Sequence, residues 1–94
     1  MKAVYLFKKK GYKKRCESNN NVIYDLVEKE NNKILPDTIL FSKGLDSVSR
    51  IEFLTDNPDK YILIGTFSFE FDSDMLIAIN TQIKEIEEKL KNKF

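Results

Sequence analysis

Ninety-four residues at 11.0 kDa leave room for one small domain. Apolar residues at 41% and aromatics at 12% are enough for a core and exclude a disordered chain, while 33% charged residues favour solubility. The net charge of +1 hides an asymmetry: residues 1–15 carry seven cations and no acid, so the remainder carries −6.

In chain order, the first expected element is a strand over Lys2–Lys8, with Val4 and Leu6 on one face and Ala3, Tyr5 and Phe7 on the other. Gly11 follows as a hairpin turn, and Tyr12–Ser18 returns as the second strand. Asn19-Asn20-Asn21 is a turn, because asparagine tolerates left-handed backbone angles. Val22–Lys29 fits a helical face through Val22, Ile23, Leu26 and Val27, and a strand face through Val22, Tyr24 and Leu26. Its shortness and β-branched content favour the strand. Asn31-Asn32 then turns the chain into Lys33–Phe41, with Pro36 at a start or edge position because it has no N–H for a ladder.

After the break at Lys43-Gly44, Val48–Thr55 alternates, with Ile51 and Phe53 opposite Arg50 and Glu52. Asp56-Asn57-Pro58-Asp59 is a turn. Lys60–Phe71 alternates as one bent strand or two, interrupted at Gly65, with Phe67, Phe69 and Phe71 on its core face. The C-terminus reads as one helix, capped by Asp72 or Ser73. Leu76, Ile79, Ile83, Ile86 and Leu90 form its apolar stripe, and Glu85 with Lys89 and Glu87 with Lys91 are i, i+4 pairs. The expected fold class is therefore α+β: an antiparallel β-meander of six or seven strands with one C-terminal α-helix packed on it.

The segments YLFKKKGYKKR, VIYDLVEKENNKILPDTILFS and SDMLIAINTQIKEIEEKL, in that order, resemble the pleckstrin-homology module. In that module a curved antiparallel sheet is closed by a C-terminal helix, and a basic first hairpin often binds anionic lipid headgroups. The resemblance implies that role for Lys8, Lys9, Lys10, Lys13, Lys14 and Arg15. The chain departs from the module's pattern in having no tryptophan, and in having Cys16-Glu17 where an aromatic residue usually follows the basic cluster.

Several chemistries lack their residues. No histidine is present, which removes the commonest general base and metal ligand. The single cysteine, Cys16, forms no intrachain disulfide and no zinc cluster, and without histidine to activate it the thiol reads as a bystander. Gly11, Gly44 and Gly65 are isolated and make no phosphate loop. Glu70, Asp72 and Asp74 read as a carboxylate cluster for a metal or an acid–base pair, but helix capping explains Asp72 and Asp74, and Glu70 is an outward-facing strand residue. The expectation is a non-enzymatic protein with no cofactor and no metal. No apolar stretch is long enough to span a membrane, and the five uncharged residues between Lys2 and Lys8 are too few for a signal-peptide core, so a cytoplasmic location is expected.

Two binding readings remain. In the first, the chain docks on a protein partner and modulates it, with the acidic stretch 44–74 (Asp46, Glu52, Asp56, Asp59, Glu70, Asp72 and Asp74) as one working surface. By size and charge it then resembles phage or mobile-element inhibitors of host systems, including anti-CRISPR proteins. In the second, the six cations of KKKGYKKR bind a polyanion, either nucleic acid or an anionic membrane surface. A monomer or a weak dimer through the helix stripe fits either reading.

Overall fold

The computed structural model describes residues 1–29, 33–55 and 69–92. It is an α+β arrangement: helix α1 (Ala3–Lys9), strands β1 (Tyr12–Glu17), β2 (Asn21–Leu26), β3 (Thr38–Lys43) and β4 (Val48–Leu54), and helix α2 (Ser73–Lys91). The strands form one antiparallel meander in the order β1-β2-β3-β4. Among the described residues there are four strands, not six or seven. The expected turns at Asn31-Asn32 and Asp56–Asp59, and the expected strand up to residue 68, lie outside them. Phe69, Glu70 and Phe71 are described and belong to no strand, although the Glu70 N–H donates to the Ile34 carbonyl at 2.8 Å.

The largest correction is at the N-terminus, where the expected strand Lys2–Lys8 is helix α1. The expected first hairpin is therefore a helix–turn–strand. Ala3, Phe7 and Lys10, four and three residues apart, all point into the protein, which is helical spacing. A seven-residue helix is not stable alone in water, so its packing must hold it. Phe7 is fully buried and stacks on Tyr24 at 4.1 Å between ring centroids, with Tyr12 and Phe41 meeting it edge-on. No side chain of Lys2 caps α1; instead the Ala3 N–H donates to Glu85 Oε2 of α2 at 2.6 Å, placing a carboxylate at the positive end of the helix.

α1 ends at Gly11, whose φ of +89° is the left-handed conformation that follows many helices. Its N–H donates to the Lys8 carbonyl at 3.1 Å, and its carbonyl accepts from the Val27 and Glu28 N–H groups at 2.8 and 3.1 Å. The turn thus ties α1 to the end of β2.

In the β1–β2 hairpin the Ser18 N–H donates to the Asn21 carbonyl at 2.8 Å, and Ser18 Oγ accepts from the Asn20 and Asn21 N–H groups. The register passes from Lys14↔Tyr24 to Cys16↔Ile23, which leaves Arg15 as the extra residue of a β-bulge. Tyr12, Lys14 and Glu17 consequently share the helix-facing side with Val22, Tyr24 and Leu26, and Lys13 and Cys16 share the opposite side with Asp25 and Ile23.

α2 closes the core over α1 and the sheet. Asp72 is its N-cap, accepting from the Met75 N–H at 2.9 Å, as expected. Its buried residues are Met75, Ala78, Ile79, Gln82, Ile86 and Leu90, with Ile83 partly buried; Leu76 is about half exposed and does not belong to the stripe. The buried Gln82 accepts from Tyr24 Oη at 2.5 Å, so both polar groups are satisfied. Burial, with Glu85 and Glu17 nearby, pushes the Tyr24 phenol far above its usual range and keeps it a neutral donor. Glu85 and Lys89 do not pair with each other: Glu85 holds Ala3, and Lys89 bonds Glu17 across to β1. Among the described residues no helix is long and apolar enough to cross a membrane.

Candidate binding groove and the fate of the basic cluster

The helix–turn–strand arrangement disperses the six cations that the sequence places together. Lys10, only 7% exposed, turns inward and donates to Asp72 Oδ2 at 2.6 Å, joined there by Lys33 at 3.0 Å. Arg15 forms a two-pronged pair with Asp25, Nε to Oδ2 and Nη2 to Oδ1, both at 2.7 Å. Lys14 Nζ donates to Glu17 Oε1 at 2.6 Å. Lys8, Lys9 and Lys13 have no carboxylate within salt-bridge distance among the described residues. Half of the expected polyanion-binding set therefore already holds the fold together, and the exposed remainder is three lysines on two elements.

The same pairs fix the acids. Lys10, the Met75 N–H and Lys33 together hold the Asp72 carboxyl far below the usual carboxylate range. Lys14 and then Lys89 lower Glu17 from an ordinary 4.5 to about 2. Arg15, with help from Thr38, lowers Asp25. All three are depressed in the folded state, so their stabilisation is complete above the ordinary carboxylate range and is lost as pH falls through the folded values. The unfolding midpoint is expected to fall steadily as pH drops from about 4.5 towards 2, and Glu17→Gln is expected to flatten part of that slope in a melting series.

Two acids of the stretch 44–74 are engaged in the same way. Asp72 caps α2, Glu52 pairs with Arg50 at 2.7 Å, and Asp56 and Asp59 lie outside the described residues. No group of three or more potential metal ligands occurs among the described residues. Cys16 is half-buried beside Asn21, its Sγ 3.6 Å from Oδ1.

A groove of about 410 Å³ runs where α1, the Gly11 turn and β1 meet the end of β2. Val4, Tyr5 and Lys8 line one wall from α1, at spacings that put them on one helix face. Gly11, Tyr12, Lys13 and Lys14, with Val27 and Glu28, complete the lining. Tyr5 is 57% and Val27 63% exposed, so the groove shows apolar surface to solvent, with lysines among its lining residues. Reading residues 2–8 as a strand put Val4 and Tyr5 on opposite faces and missed this wall; the i, i+4 relation of Val4 to Lys8 was the signal that could have found it. No family model, curated protein or solved structure matches this chain.

Proposed function

We propose that the chain is a non-enzymatic interaction protein that docks on a protein partner and modulates it, with the α1–β1 groove as its docking surface. The observation that carries this reading is the exposure of Tyr5 and Val27 in a concave site bordered by lysines. Phosphate and lipid headgroups are held by cations and donors, and exposed apolar surface adds little to that contact. Protein interfaces instead have an apolar centre with a polar rim, and tyrosine is among the residues that dominate their energetics. The engagement of Lys10, Lys14 and Arg15 in internal ion pairs supports the same choice, because turning to a polyanion would break their contacts with Asp72, Glu17 and Asp25. An inhibitor of a host system, of the kind mobile elements carry, is one form such a modulator takes.

The test is an affinity capture with nuclease-treated lysate, comparing the tagged wild type with Tyr5→Ser/Val27→Ser. Both side chains are more than half exposed, so the variant should melt within a few degrees of the wild type. The expected result is one protein retained by the wild type at moderate salt and lost by the variant. Capture of nucleic acid or anionic lipid, equal for both forms and abolished by salt, overturns the reading.

A further inference from the structure

We infer that the Arg15 bulge closes the outer edge of β1 against a second copy of this chain, with the cations beside it as a second barrier. β1 is an outer strand of the sheet, bonded to β2 on one side, and among the described residues no strand pairs with its other side. Among the same residues, Lys13, Lys14 and Cys16 make no backbone hydrogen bond outside the β1–β2 ladder. Such an edge is a template for another strand, and in a solution of this protein that strand is β1 of a second copy. Two features oppose the pairing. The ladder passes from Lys14↔Tyr24 to Cys16↔Ile23, so Arg15 is an extra residue that breaks the even spacing of edge donors and acceptors and bends the strand. Two bonds of 2.7 Å from Arg15 to Asp25 tie that residue to β2 and hold the bulge in place. The charges repel as well. In an antiparallel β1–β1 pair the fullest overlap sets Lys14 opposite Arg15 of the second copy, twice over by symmetry. A shift of one residue either way sets Lys14 opposite its own counterpart, or Arg15 opposite its own.

The test compares three forms of the intact protein by sedimentation velocity at about 100 μM, where a Kd of about 10 μM leaves most chains paired. The first is the wild type. The second, Lys13→Thr/Lys14→Thr, thins the charge and keeps the bulge. The third adds deletion of Arg15, which makes positions 14 and 16, opposite Tyr24 and Ile23, consecutive in an unbroken ladder and leaves β2 in register. Glu17 keeps its bond to Lys89 in both variants. The wild type is expected to sediment at the 11.0 kDa of one chain, and the deletion variant at twice that mass. The threonine variant should pair at least about tenfold more weakly than the deletion variant. A deletion variant that keeps the circular dichroism of the wild type and stays monomeric overturns the proposal. So does a threonine variant that pairs as tightly as the deletion variant, since the bulge then adds nothing. Amide hydrogen exchange of the wild type needs no variant. Backbone N–H groups alternate in direction along a strand, so one of the Lys13 and Lys14 amides faces away from β2. That amide is expected to exchange at least about 100-fold faster than those of Tyr24 and Leu40 in the middle of the sheet. Slow exchange at both Lys13 and Lys14 means that the edge is already covered, and overturns the proposal even if the deletion variant fails to fold.

Discussion

Gly11→Ala is expected to lower stability by about 3 kcal/mol or more, a drop in the unfolding midpoint on the order of 15 °C for a domain of this size. Two effects add. The φ of +89° is strained for any residue with a Cβ. A Cβ built there would also lie 2.1 Å from the Glu28 carbonyl oxygen, well inside contact distance. That oxygen is backbone and cannot rotate away, and the same stretch is bound to Gly11 by the Val27 and Glu28 N–H groups. Relief therefore requires parting α1 and β1 from the end of β2. Gly44→Ala is the control: φ there is not in the left-handed region, and the nearest atoms, Ser47 O and Ser49 Cβ, lie at 3.1 and 3.3 Å. Its effect should stay within about 1 kcal/mol. Equal losses for the two glycines, measured by thermal or urea unfolding, contradict the turn described at Gly11.

Phe7→Ala is expected to remove about 3–5 kcal/mol, since it deletes a fully buried ring and leaves a cavity among Tyr24, Tyr12 and Phe41. Domains of this length have total stabilities of roughly 5–14 kcal/mol, so the variant is at best marginal. The change should also be visible as lost helicity, because α1 is too short to persist once its anchor is gone. Tyr5→Ala, two residues away on the exposed side of the same helix, should change stability by about 0.5 kcal/mol or less. A strand at 2–8 would also place Phe7 inward, but it would put Tyr5 on the same buried face. The near-neutral Tyr5→Ala is thus the arm that separates helix from strand.

The sheet was legible where alternation was uninterrupted by competing patterns. β4 falls where Ile51 and Phe53 oppose Arg50 and Glu52, and β2 where Val22 and Tyr24 are buried, as the β-branched content of that segment predicts. The α2 cap at Asp72 was equally plain, because a short polar side chain before an apolar run has few other uses. The N-terminal segment was not, since seven largely apolar residues satisfy a period of two as well as a period of 3.6. The contacts that settle it are distant in sequence: Glu85 on the Ala3 N–H and Tyr24 under Phe7. Leu76 was misplaced by one step for a similar reason, as Met75 next to it takes the inward position and begins the row that runs through Ala78 and Gln82. The basic run was visible as composition, but its partition was not. Which lysine turns inward to Asp72, 62 residues on, depends on α1 being a helix.

Docking of a partner between α1 and β1 can be read residue by residue from amide chemical-shift mapping of the intact protein as the captured partner is added. Shifts are expected at Val4, Tyr5, Lys8, Lys13, Lys14, Val27 and their neighbours, with the sheet around Ile23 and Leu40 unmoved. Shifts centred on Ile23, Leu40 and Leu54, or on Leu76 and Ile77 of α2, with the groove unmoved, would contradict it.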